Sequence, residues 1–449
     1  MKTTRALYLA LCLIASGSYA AGAADYRIEL RQGTWELKPG LATAVWSYGG
    51  TIPGTPIVAN VGERVSIEVV NRLPEATNIH WHGLVVPNDQ DGPSIAIEPG
   101  ASHRYEFVAE ASGTYWYHPH HRPVLPQLDR GLYGAFIVRA PEDAAYSGDH
   151  VYVLDDWYLD PRGRRIEGIA PGAMERIGNV DTVNGKTESA IEALEVRKGE
   201  LHKLRFINAS TAAVHTLRVR GHRFRVTHTD GHPLGEAYET DTITLSPGER
   251  IDVELAAGGS PGELYEIIDP NRDLGLIIPI RYLHGGVPDV RSPFVAPPPR
   301  SIDAGSGPDF VLRFGAAMGM MGGMGMHGGS AAQSSGGPRW TINGRSFPDT
   351  VPIEVKAGEA VRMRFVNDDM TAMMGHPMDH PIHVHGTAFR VVSENGRPPK
   401  RETWKDTVAV PVGEYVDVEF VMKYPGEWML HCHVIDHEDG GMLTALVVR

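Results

Sequence analysis

The chain repeats itself three times, and this constrains its architecture more than any other feature. Three segments, IVANVGERVSIEVVN (57–71), LEVRKGELHKLRFIN (194–208) and IEVKAGEAVRMRFVN (353–367), each place a Gly-Glu turn between alternating apolar and polar residues. Gly62, Gly199 and Gly358 each precede an asparagine, Asn71, Asn208 or Asn367, by nine residues. Alternation with period two puts residues i and i+2 on one face, the pattern of strands. Further strands recur: HTLRVRGHRFRV (215–226) with HPIHVHGTAFRV (380–391) and the shorter IHWHG (79–83), and the turn-led EPGASHRYEF (98–107), SPGERIDVEL (246–255) and PVGEYVDVEF (411–420). Each copy closes on SGTYWYHPH (112–120), PGELYEIID (261–269) or PGEWMLHCH (425–433). Short strands at regular spacing predict an all-β chain of three tandem β-sandwich domains, at 24–140, 141–298 and 338–449. The stretch 299–337, rich in Gly, Ser and Met, is expected to be a flexible loop or linker.

A net charge of −13 over 449 residues argues against a nucleic-acid partner. Residues 1–23 have the form of a secretory signal peptide: Lys2 and Arg5, an apolar run, then small residues around Ala20 to Ala23. Export to a periplasm or the outside is therefore expected. No other apolar stretch is long enough to span a membrane. Of two cysteines, Cys12 would leave with the signal peptide, so no internal disulfide can form and Cys432 remains as a lone thiol.

The repeats also locate the chemistry. Copies one and three carry four His-x-His pairs: His80/His82, His118/His120, His383/His385 and His431/His433. Copy two has Arg218/Arg220 and Ile267/Asp269 in the corresponding places. On a strand each pair presents two imidazoles to one side. Four pairs at equivalent places in two repeats point to a metal cluster between copies one and three, with copy two as a spacer. Eight imidazoles suit copper, zinc or iron. Cys432 points away from its flanking histidines. With His380, His437 and Met442 it completes the two-His, one-Cys, weak-Met set of an electron-transfer copper site.

These motifs, His80-Trp81-His82-Gly83, His118-Pro119-His120, 380-HPIHVH-385 and 431-HCHVIDHEDGGM-442, give the chain a close resemblance to three-domain multicopper oxidases of the bacterial laccase and copper-efflux cuprous oxidase type. The resemblance implies cupredoxin-like Greek-key domains and four copper ions. His380, Cys432, His437 and Met442 would hold one type 1 copper, and His80 and His383 one type 2. His82, His118, His120, His385, His431 and His433 would hold the two type 3 ions. It further implies that a reductant gives up electrons singly at the type 1 site, that they pass through Cys432 to His431 and His433, and that O2 is reduced to two waters. Asp91 and Glu438 fall where the family has proton-relay carboxylates. The alternative for each is a loop acid bonded to backbone or to a ligand histidine.

Two methionine groups bear on the substrate: Met318, Met320, Met321, Met324 and Met326, and Met370, Met373, Met374 and Met378 just before His380. Thioethers favour Cu(I). A possible substrate-copper site would comprise Met370, Met373, Met374, His376 and Met378, although the family's acid four residues before the type 1 histidine is His376 here. The expected function is Cu(I) oxidation for copper tolerance with laccase-like side activity. The alternatives are a phenol or aromatic amine oxidase and a non-enzymatic copper-binding or scaffold protein. Both halves of the cluster lie in one chain, so a monomer is expected.

Overall fold

The structure is a computed structural model and describes residues 23–170, 173–289, 293–298, 300–317, 339–369 and 378–449. Except for Ala23, the expected signal peptide lies outside these residues. So do the methionines of 318–326, and Met370, Met373, Met374 and His376. Among the described residues no helix is long and apolar enough to cross a membrane.

Six sheets form three successive pairs. The first pair is two four-stranded sheets, the second and third a six- and a five-stranded sheet each. In the first, Ile28, Val65 and Ile67 of one sheet and Ile57, Trp81 and Phe136 of the other share one buried cluster. Fully burying such a side chain stabilises by about 1.5–3 kcal/mol. Equivalent cores fill the second and third pairs. A fourth cluster joins the first pair to the second through Trp116, Tyr133 and Trp157.

The repeated asparagine has one task in all three copies. Asn71, Asn208 and Asn367 are wholly buried at strand ends. Each amide donates to two backbone carbonyls: Glu75 and Ile97, Ala213 and Leu245, Met378 and Val410. Each side-chain oxygen accepts the N–H two residues on. An irregular chain leaving a buried strand needs these partners.

The structure corrects the expected linker. Within 299–337, Phe310–Ala317 is a strand that pairs in parallel with Ala360–Asn367. Ala23–Lys38 and Gly148–Trp157 pair with the post-turn strands of the first two copies in the same way. Phe310–Ala317 therefore opens the third sheet pair. Leu312 and Phe314 face the core while Val311 and Arg313 face out, a short alternation hidden by the Gly-rich sequence after it. The methionine-rich run lies inside the third domain, between strands Phe310–Ala317 and Arg339–Ile342.

Candidate metal centre

Strand register assembles the histidines. His80–His82 pairs antiparallel with Gly113–His118, setting His80 opposite His118. His380–Val384 pairs with Gly426–Cys432, setting His383 opposite His431 and Ile382 opposite Cys432. From these two strand pairs and the residues just after them eight imidazoles converge, all buried. Close approaches run across all eight rings. His120, His385 and His431 have ring centroids 4.8–5.2 Å apart, and Nε2 of His431 lies 3.2 and 3.1 Å from Nε2 of His120 and His385. His82, His118 and His433 lie 4.9–5.7 Å apart. His80 and His383 lie 5.7 Å apart and stack on His385 and His82 respectively, each at 3.8 Å.

Hydrogen bonds hold one nitrogen of six of the eight rings. Nδ1 is bonded in His80 (to the Asp91 carbonyl), His118 (Pro119), His383 (Asp406) and His431 (Cys432). In His385 it is bonded to the Asp91 carboxylate at 2.8 Å. His82 is reversed: its Nε2 meets the Asp406 carboxylate and the Thr407 hydroxyl, both at 3.0 Å. Inside the cluster, Nε2 of His80, His118 and His383, Nδ1 of His82 and both nitrogens of His433 are buried without a hydrogen-bond partner in the protein. An orphaned buried nitrogen is costly, and a group of them sharing one space fits metal ions.

A second constellation brings His380, Cys432 and His437 together. Nδ1 of His380 and of His437 lie 3.1 Å apart, with Cys432 Sγ 3.7 and 3.4 Å from them. Met442 is buried in the same apolar cluster, and its carbonyl accepts the Cys432 N–H. Burial pushes the Cys432 thiol well above its usual range, so without a cation it stays protonated. Burial pulls His437 down to about 3. Trp340 covers the His437 ring at 3.7 Å.

Carboxylates surround both constellations. Asp91 is bonded to one histidine from each outer domain, as above. Gly92 lets it approach: at φ 111°, its backbone packs on the Ile79 carbonyl where a Cβ would collide. Glu438 is fully buried, with Oε2 3.3 Å from His431 Nδ1 and Oε1 3.7 Å from His120 Nδ1. Burial, with Asp439 nearby, raises it well above the carboxylate range, so it holds a proton. Asp439 itself is taken up by the amides of Val124 and Leu125 and by Arg122. At the other ring nitrogens of the His380–His437 pair, Glu175 lies 3.3 Å from His437 Nε2 and Asp369 3.7 Å from His380 Nε2. Burial and the neighbouring Asp369 push Glu175 up to about 7. Met378 is buried in the apolar cluster with Cys432 and Met442.

Sequence reasoning missed Asp406, Glu175, Asp369, Trp116 and Trp340. Trp116, which stacks on His118 at 4.3 Å, could have been found from its place two residues before it on one strand face. Asp406 and Glu175 lie in no shared motif and reach the site only through long-range packing. Nor is the second domain only a spacer. Its Glu175 faces His437, and its Arg250 is bonded to Asp406. Burial alone would raise Asp406, but the Arg250 charge and hydrogen bonds hold it well below the usual range.

Residues 29–143, 148–269 and 325–449 match three family models, each described as multicopper oxidase. The multicopper oxidase MmcO of Mycobacterium tuberculosis is 31% identical over 440 residues, spanning 89% of this chain and 82% of that protein. The solved multicopper oxidase of Pseudomonas thermotolerans superposes with a TM-score of 0.79 at 26% identity, covering 96% of this chain and all of the other. A Campylobacter jejuni multicopper oxidase described as a metallo-oxidase gives 0.76 at 26% identity, with 95% and 91% covered. The chain therefore belongs to the multicopper oxidase family, oxidoreductases whose cofactor is copper.

Proposed function

We propose that the protein couples four one-electron oxidations at the type 1 site to reduction of O2 to two waters at the histidine cluster. We further propose that Cu(I) is its principal reductant and that phenols or aromatic amines are oxidised as a side activity. His380, Cys432, His437 and Met442 would hold one copper and His80 with His383 a second. The triads His82/His118/His433 and His120/His385/His431 would hold the other two. When bound, these ions supply the one-electron redox chemistry and O2 binding that side chains lack.

The observation that carries the reading is the adjacency of His431, Cys432 and His433. Cys432 faces His380 and His437, while its two neighbours each join a different triad. One peptide bond on either side thus links the electron-accepting site to both triads. Glu438, protonated and set between the outer nitrogens of His120 and His431, is placed to give up a proton. Asp91 orients His80 and His385 and is placed to pass protons on their side.

For the reductant, the support is the acidic edge formed by Glu175 and Asp369 at the outward nitrogens of the type 1 pair, which favours a cation. The soft methionine donors point the same way. Met378 packs in the core, so the acids rather than this thioether are assigned the contact. Export and a monomeric state belong to the same reading, since one chain completes the cluster.

The test is oxygen uptake with Cu(I) and with a phenol, comparing kcat/KM. Preference for Cu(I), lost on deleting residues 319–336, supports the reading. Preference for the phenol with the deletion silent would make the protein a laccase, and no uptake with either would leave a copper-binding scaffold.

A further inference from the structure

The second domain contributes none of the twelve expected ligands, yet one turn of it abuts His433, and Arg250 just after that turn reaches Asp406, the partner of His82. Gly248, at φ 87°, packs so closely on the His433 ring that a Cβ would strike it. Two residues on, the fully buried Arg250 spends all five guanidinium N–H groups. Nη1 and Nη2 form a fork on Asp406, at 2.7 Å to Oδ1 and 2.6 Å to Oδ2. The rest go to the carbonyls of Thr114 (3.1 Å), Gly248 (3.2 Å) and Asp230 (3.0 Å). Thr114 belongs to the first domain and Asp406 to the third, so Arg250 ties all three together. Gly83, directly after His82, makes room for the pair; a Cβ there would meet both Arg250 and Asp406.

We propose that Arg250 is the positioning residue that prepares His82 to bind copper through Nδ1. With both oxygens forked by a guanidinium, the Asp406 carboxylate can only accept. Thr407 donates its hydroxyl to Asp406 Oδ1 at 2.9 Å, so toward His82 it too can only accept. Both groups sit at His82 Nε2, which must therefore carry the ring proton, leaving the buried, unpartnered Nδ1 with a free lone pair. The tautomer of this ring is thereby selected from a domain that binds no metal, while the other histidines fixed at Nδ1 turn Nε2 inward. Asp230 and Lys405, which flank the fork, hold its far side: Asp230 accepts from the Arg250 amide at 2.9 Å and lies 3.2 Å from Lys405.

This inference rests on the copper assignment above, and the experiment separates the two. The full-length wild type, Arg250→Gln, Arg250→Lys and Asp406→Asn are loaded with copper, and copper per chain is measured alongside the visible absorption of the Cys432 site. The histidine tautomers of the copper-free proteins are read by 15N NMR. Asparagine at 406 offers an N–H to His82 and favours the wrong tautomer. The expected result for Arg250→Gln and Asp406→Asn is affinity for one ion weakened about 10–100-fold, about one copper lost per chain, and unchanged visible absorption. His82 should lose its Nε2–H signature, and Arg250→Lys, which keeps the charge without the fork, should fall between. Arg250→Lys also serves if the neutral variants do not fold. Full copper with an unchanged tautomer in these variants would overturn the inference while leaving the copper assignment intact. A wild type without visible absorption would overturn both.

Discussion

Nδ1 of His385 donates to the carboxylate of Asp91 at 2.8 Å, a bond that crosses from the third domain to the first. The same residue's carbonyl accepts from His80 at 3.1 Å, so one loop acid holds a histidine of each outer domain. Glu438, 3.3 Å from His431 Nδ1 and 3.7 Å from His120 Nδ1, is a second carboxylate set against these histidines.

If these acids serve proton transfer, Asp91→Asn and Glu438→Gln should each lower kcat for oxygen uptake about 10–100-fold. The reductant's KM should change far less than kcat, because the bonds these carboxylates make are to cluster histidines. Steady-state kinetics checks this; unchanged kcat in both variants would count against the role.

Glu175 and Asp369 should matter only for a cationic reductant. Glu175→Gln is expected to raise KM for Cu(I) about tenfold, a loss of about 1.4 kcal/mol, and to leave a neutral phenol within about twofold. A parallel loss for both substrates would instead indicate damage to the His437 side of the site.

The copper-free protein should be acid-sensitive well above the carboxylate range. Burial, reinforced by neighbouring imidazoles, holds His118, His120, His385, His431 and His433 well below the usual histidine range. Burial and the neighbouring His383 do the same to His82, and His437 is pulled down to about 3. Unfolded, these residues take up protons below about pH 6.5; folded, they do not, so stability falls as pH drops below that value. Each contributes a slope of about 1.4 kcal/mol per pH unit at most. Glu175, Asp436 and Glu438, raised by burial, act in the opposite sense but are outnumbered. Denaturant unfolding of copper-free protein should therefore show several kcal/mol lost between about pH 7 and 5; equal stability at both would contradict this.

The repeat asparagine can be tested where no metal intervenes. Asn208→Ala leaves the carbonyls of Ala213 and Leu245 and the amide of Ser210 without their partner. A cost of about 2–4 kcal/mol is expected, with copper content kept, by denaturant unfolding.

What the sequence displayed was local and periodic. Alternation marked the strands, the Gly-to-Asn spacing marked the repeat, and the i, i+2 histidines revealed which faces meet. The strand Phe310–Ala317 escaped notice because its brief alternation adjoins a Gly-rich run whose composition dominates. Arg250, Asp406 and Glu175 escaped because single charged residues carry no period. Their partners lie 156 residues away for Arg250 and Asp406, and in another domain for Glu175 and His437. Nothing along the chain marks such pairs before the domains pack.

Whether Cys432 holds a copper beside a separate three-copper cluster is read most directly from the copper content and visible absorption of the loaded wild type and of Cys432→Ser. The wild type should be blue with about four ions per chain, and the variant colourless with about three. A colourless, fully loaded wild type, or a variant that keeps the blue absorption, would contradict the claim.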